Sequence, residues 1–205
     1  MLRIKSQPHN SVWVWADTQE ELGLTFMRFQ EHYESPNPVF RNNVFTVGQL
    51  RQWYSIEYGG NTYHHDWQGF NFPSKVLLPF KEGLFDPLTN EENNLLDLFR
   101  YRNDNFYIIG AQNKAVLRHE LAHALYSHNI TFQHSVDKLC LKYKKELNKT
   151  RQYILKKGYD QSVLNDETQA YITDNDDEYI IKNTPANVIQ QFNLLYNRYK
   201  ENTDE

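Results

Sequence analysis

The chain has 205 residues, of which 40% are hydrophobic and 15% aromatic, and its formal net charge is −4 at pH 7. The aromatic content excludes a wholly disordered chain, and the acidic balance disfavours a protein that wraps nucleic acid, which needs a concentrated positive field. No apolar run reaches the roughly 18 residues of a membrane span, and the first 20 residues lack a secretory hydrophobic segment, so we expect a cytoplasmic protein without a membrane partner.

Three helix starts in the first half of the chain are marked by capping boxes. In each box a threonine precedes a Glu or Gln by three residues, and the two side chains can satisfy the exposed amides of a helix N-terminus. These pairs predict helices over about 18–33, 46–57 and 89–101. The aromatic and β-branched segments VWVWA (12–16) and FYIIGA (106–111) predict buried or half-buried strands.

Beyond Asn113 the hydrophobic residues recur at helical spacing. The pattern predicts a helix to about Ser127, a long amphipathic helix from Ser135 until Gly158, and a last helix that opens at Thr184 and Pro185. The acidic run 174–178 lacks the glycine and the spacing of a calcium loop, which favours a solvated turn.

The domain organisation follows from these elements. We expect one α+β domain over residues 1–205, with an aromatic-rich mixed α/β part at 1–104 and a mostly helical part at 105–200. The single cysteine, Cys140, excludes a multi-cysteine zinc site, so any metal must be held by histidines and carboxylates.

The segment RHELAHAL (118–125) contains the HExxH motif, formed by His119, Glu120 and His123. Residues four apart on a helix project from the same face, so both imidazoles can reach one ion. Glu120 lies beside the first histidine at the rim of that face, where it can hold a water molecule without occupying the metal. The spacing therefore supplies two metal ligands and a general base.

A hydrophobic strand followed by an HExxH helix resembles the zincin metallopeptidases, and the resemblance covers roughly residues 106–171. It implies a small sheet packed on the HExxH helix and a catalytic zinc with a third protein ligand. The metzincin extension would need a glycine at position 126 and a histidine at 129, where the chain has Tyr126 and Asn129. His128 is one residue short of that place, which disfavours a metzincin.

In gluzincins the third ligand is a Glu on a second helix downstream. The segment VLNDETQAY (163–171) offers Asp166 and Glu167 near a helix start that we expect Asn165 to cap. Glu167 begins a Glu-x-x-Ala sequence similar to that of gluzincin ligand helices, which implies Glu167 as the third ligand and leaves Asp166 as the alternative. The same segment is similar to the DExQAY segment of uncharacterised bacterial and viral HExxH proteins, a likeness that names no substrate.

A looser resemblance links the chain to the lethal factor and Pro-Pro endopeptidase branch, in which a tyrosine seven residues before the ligand Glu donates to the oxyanion. Position 160 holds Asp160 in this chain, and Tyr159 is one residue away. The resemblance therefore implies Tyr159 as the transition-state donor, with Tyr171, Tyr179 and His134 as alternatives.

Together these resemblances imply a zinc-dependent peptidase whose Zn²⁺ is held by His119, His123 and Glu167. Zinc lowers the pKa of its water to about 7, and Glu120 would accept the proton and return it to the leaving amine. A peptide or protein is the expected substrate, lying as an added strand along an edge strand, for which FYIIGA or a neighbouring strand is the candidate. Two alternatives stay open: a non-catalytic interaction protein on a zincin scaffold, and a zinc hydrolase of a non-peptide amide or ester.

Overall fold

The computed structural model describes residues 1–200 and divides into two compact units, residues 1–112 and a second unit that begins at Asn113. The first unit combines a small mixed sheet with helices, and the described part of the second unit contains helices and turns without a strand. The α+β class is thereby confirmed. The single domain over residues 1–205 stays a prediction.

The first unit contains four strands and five helices, with a short 3-10 turn at Ser74–Leu77 between the third strand and the fourth helix. The strands are β1 (Arg3–Gln7), β2 (Ser11–Trp15), β3 (Gly69–Pro73) and β4 (Tyr107–Ala111). The helices are α1 (Gln19–Glu34), α2 (Val47–Tyr58), α3 (Tyr63–Asp66), α4 (Leu78–Lys81) and α5 (Asn90–Leu98).

The capping threonines begin their helices as the sequence predicts. Thr46 and Thr89 form complete capping boxes, with hydrogen bonds in both directions. The Thr18 hydroxyl accepts from the amide of Glu21, but the Glu21 carboxylate accepts from the amide of Asp17 instead of returning to Thr18. The helix predicted at 89–101 ends earlier, at Leu98.

The sheet has the strand order β1-β2-β4-β3, in which β2 and β4 are parallel and the other pairs are antiparallel. β4 contains most of FYIIGA and is paired on both sides, and all five of its residues are buried. FYIIGA is therefore wrong as the edge strand for a peptide substrate, because both of its edges are paired, and addition to a neighbouring strand stays a prediction.

The core of the first unit lies where α1 packs on the sheet. The Phe26 ring stacks on Phe70 with 5.3 Å between centroids, and a Cβ on Gly110 of β4 would lie 2.8 Å from the Phe26 ring. Gly110 therefore leaves the space that the aromatic ring fills. In the same core the buried Arg28 guanidinium donates to the Glu92 carboxylate, with 2.6 Å between Nε and Oε1.

The second unit contains six helices within its described residues, with a 3-10 turn at Gln161–Val163. They are α6 (Lys114–His128), α7 (Ile130–Lys142), α8 (Asn148–Lys156), α9 (Leu164–Asp174), α10 (Glu178–Asn183) and α11 (Ala186–Tyr199). None of the helices in residues 1–200 combines the length and hydropathy of a membrane-spanning helix.

The long helix predicted from Ser135 to Gly158 is wrong, because two helices, α7 and α8, occupy this stretch. α7 begins earlier, where the Asn129 side chain accepts from the amide of Phe132, and it ends at Lys142. The chain then turns before α8, with Leu147 buried at the N-cap position of α8 and Ile154 buried within that helix. The predicted apolar stripe is therefore divided between two helices.

Two predicted helix caps differ from the structure. Thr184 ends α10, and its hydroxyl forms a buried 2.8 Å hydrogen bond with that of Thr150, so Pro185 takes the N-cap position of α11. Asn165 is the second residue of α9 and caps nothing, because Val163 holds the N-cap position. In both cases the polar side chain bonds to another helix instead of the local amides.

Candidate metal centre

The site of the second unit is built from α6 and α9, which pack against each other. The Asn113 side chain begins α6 by accepting from the amides of Ala115 and Val116. On α9 the residues Glu167, Tyr171 and Asp174 recur at i, i+4 and i+7, so they share one face of the helix. This spacing aligns them opposite the histidine face of α6.

His119, His123 and Glu167 bring one ligand atom each into a common site, and these atoms lie within 4.8 Å of one another. The Nε2 atom of His119 is 3.9 Å from Oε2 of Glu167, and the Nε2 atom of His123 is 3.7 Å from Oε1. Both separations exceed hydrogen-bond length. The three residues thus face one another across a gap, and they do not bond directly.

The other ring nitrogen of each histidine is bound to an aspartate of α9. Nδ1 of His119 is 2.6 Å from Oδ2 of Asp174, and Nδ1 of His123 is 2.9 Å from Oδ1 of Asp166. An ionised carboxylate only accepts, so each Nδ1 carries a proton and donates it. In the neutral imidazole the lone pair then lies on Nε2, which points at Glu167 and is the form that binds metal ions.

The electrostatics of the site favour a cation. Burial raises the pKa of Glu167 to about 7, against the opposing effect of the two histidines. Burial lowers the pKa of His123, but the charges of Asp166 and Glu167 outweigh this and raise it well above its usual value. Glu120, itself 6% exposed, acts in the same direction on both groups. These carboxylates concentrate negative charge that a divalent ion would neutralise.

The residues fit zinc on two counts. Oε2 of Glu167 is buried and has no hydrogen-bond partner among the described residues, a costly arrangement unless a further group binds it. Two imidazoles and a carboxylate are also an established ligand set for catalytic zinc. Ligand atoms of a tetrahedral zinc with bonds of about 2.0–2.1 Å lie about 3.4 Å apart. The separations of 3.9 and 3.7 Å between the imidazoles and the carboxylate are close to this value, and atoms as far apart as 4.8 Å would have to approach by about 1.4 Å on an ion.

Two tyrosines extend the site beyond the ligands. The Tyr171 ring meets the His119 ring edge to face, with 4.8 Å between centroids. The hydroxyl groups of Tyr159 and Tyr171 are 3.1 Å apart, within hydrogen-bond distance. Burial and the charge of Glu167 raise the pKa of the Tyr159 phenol, so Tyr159 keeps its proton at neutral pH.

Several sequence-derived candidates take other positions. Asp166 lies at Nδ1 of His123 and does not belong to the group of three ligand atoms. His128 is the exposed last residue of α6, His134 is exposed on α7, and Tyr179 stacks on the Tyr153 ring.

The solvated acidic turn expected at 174–178 is wrong for Asp174. Its side chain is 10% exposed, because it ends α9 with its carboxylate against His119. Neither aspartate is predicted from the sequence as a partner of the histidines. The heptad spacing of Glu167 and Asp174 was the available signal, since residues seven apart share one helix face.

Comparison with known protein families found no matching family, and no curated protein or solved structure matches the chain.

Proposed function

We propose that this chain is a zinc-dependent metallopeptidase of the zincin type with a gluzincin-like ligand set. The observation that carries the proposal is the convergence of two imidazole Nε2 atoms and one buried carboxylate, while each Nδ1 is held by a separate aspartate. A chance pair of histidines on a helix face needs neither the third acid nor the two Nδ1 partners. The zincin type of fold is part of the same proposal.

In this proposal His119, His123 and Glu167 hold the ion. When bound, Zn²⁺ supplies Lewis acidity that lowers the pKa of water to about 7 and polarises the scissile carbonyl. The carboxylate of Glu120 accepts the proton of the attacking water and returns it to the leaving amine. Asp166 and Asp174 keep the two imidazoles oriented throughout, because their bonds to Nδ1 do not involve the reacting atoms.

Tyr159 is the proposed donor to the oxyanion. Its hydroxyl bonds to that of Tyr171, whose ring contacts His119, so the phenol pair lies beside the ligand cluster. A phenol that stays protonated at neutral pH can donate to developing negative charge. The substrate class that this chemistry serves is a peptide or protein.

The test compares wild type with Glu120→Gln, which keeps the shape of the side chain and removes the base. We expect both proteins to contain about one zinc per chain, as in a single closed ligand set, and only the wild type to cleave a peptide library followed by mass spectrometry. Loss of a general base should lower the rate by about 10²–10⁴-fold. The exposed Asp176→Asn is the matched control and should retain both zinc and cleavage.

Each other outcome has a definite meaning. Full cleavage by Glu120→Gln contradicts the assigned base. Zinc without cleavage in the wild type favours a non-catalytic interaction protein, and cleavage of esters or non-peptide amides alone favours the other hydrolase. A wild type that binds no zinc at all would contradict the proposal.

A further inference from the structure

A chain of hydrogen-bonded polar side chains joins α6 to α9, the two helices that carry the candidate ligands. The Tyr126 hydroxyl on α6 donates to Oδ1 of Asp137 on α7, with 2.9 Å between the oxygens. Asn165 on α9 donates from Nδ2 to the same Oδ1, also at 2.9 Å. Arg151 on α8 donates from Nη1 to Oδ1 of Asn165 at 2.7 Å. We call these four residues the polar bracket.

The polar bracket is placed to control the ligand spacing. Tyr126 follows the second ligand, His123, by three residues on α6, and residues three apart are neighbours on a helix. Asn165 precedes Glu167 by two residues in the first turn of α9. Oδ1 of Asp137 accepts a hydrogen bond from Tyr126 of α6 and from Asn165 of α9. This one atom therefore connects the end of α6 to the start of α9.

We propose that the polar bracket positions Glu167 relative to the two histidines, so that the ligand set is arranged before the ion binds. The inference rests on the proposed zinc site and concerns its assembly. Metal sites need their ligands held within about 0.5 Å of the binding geometry, and ligands that must be ordered on binding lower the affinity. The hydrogen bonds that define the bracket join its own members and not the ligands, so these four are positioning residues.

An ordinary packing role would predict something different. Half-buried hydrogen bonds between helices stabilise a fold wherever they occur. If the bracket did only this, its loss would lower the melting temperature of the protein. Its effect on zinc affinity would then be no larger than that of another change that lowers the melting temperature equally. The Thr150–Thr184 hydroxyl pair offers such a change in the same unit, since it is buried and shares no atom with the bracket.

The experiment measures the zinc dissociation constant by competition with a chromophoric chelator, together with the melting temperature of the metal-free protein. Asn165→Ala and Asp137→Ala should each weaken zinc binding about tenfold, the lower end of the range for outer groups of metal sites. The double variant should weaken it no more than the stronger single one, because both remove the same connection. Thr150→Val should lower the melting temperature and leave zinc affinity unchanged.

A charge exchange provides a rescue. Asn165→Asp alone sets a second carboxylate against Asp137 and should weaken zinc binding. Adding Asp137→Asn restores one donor and one acceptor across the contact. Arg151 then donates to a carboxylate in place of the amide oxygen of Asn165, so zinc affinity should return toward the wild-type value.

The inference is overturned if the alanine variants bind zinc as tightly as the wild type, or if Thr150→Val weakens binding equally at an equal loss of melting temperature. A wild type that binds no zinc is a separate result, since it removes the metal site itself. Unchanged affinity in the variants of a zinc-binding wild type removes only the role of the bracket.

Discussion

Replacing Asp174 should weaken zinc binding although Asp174 is not a ligand. Asp174→Ala removes the acceptor that lies 2.6 Å from Nδ1 of His119, at a side chain only 10% exposed. Hydrogen bonds to charged groups contribute about 1.5–3 kcal/mol, and each 1.4 kcal/mol is about tenfold in affinity. The outer carboxylates of metal sites contribute about 10–100-fold. We therefore expect a loss of about 10–100-fold, and a smaller loss for Asp174→Asn, whose amide oxygen can still accept.

The assay is chelator competition at one pH, with zinc content checked by elemental analysis. Asp176→Ala, two residues further along and exposed, is the control and should bind zinc as the wild type does. If Asp174→Ala and Asp176→Ala bind zinc equally tightly, the bond between Asp174 and His119 has no part in holding the metal, and the reasoning fails.

The remaining predictions concern the first unit. Gly23→Ala would set a Cβ 2.6 Å from Cβ of His64, so it should lower the free energy of unfolding by about 1–3 kcal/mol; Gly48→Ala, which has room, should not. Glu92→Gln leaves a buried arginine without its anion and should cost about 3 kcal/mol in urea unfolding; a cost near zero contradicts this. Burial raises the pKa of Glu31 above its usual 4.5, so the folded state holds the proton more tightly than the unfolded state does. The free energy of unfolding should therefore fall as the pH rises above 4.5. In Glu31→Gln, which cannot titrate at this position, the fall should be smaller.

Local signals predicted the elements that depend on neighbouring residues. These elements are the helices capped by Thr46 and Thr89 and the helical face of the HExxH motif. The interactions that form them lie within one or two turns of a helix, so the local sequence is enough to predict them. The pairing of Glu167 with the two histidines was reached by resemblance. No local pattern relates α6 to α9, which are separated by two further helices.

Three of the predictions that failed rest on residue type and spacing alone. The turn between α7 and α8, at residues 143–147, has no glycine or proline, so no helix-breaking residue marks it in the sequence. Asn165 has the residue type of a cap but bonds to Asp137 and Arg151, and Asp174 has the charge of a solvated turn but bonds to His119. For Asn165 and Asp174, a partner distant in sequence decided the outcome.

The most direct test of the metal centre is a crystal structure of zinc-loaded protein with anomalous diffraction data on both sides of the zinc absorption edge. We expect one strong anomalous peak bounded by Nε2 of His119, Nε2 of His123 and the carboxylate of Glu167, about 2.0–2.2 Å from each ligand atom. A peak held by other residues, or no peak in crystals grown with excess zinc, would contradict it.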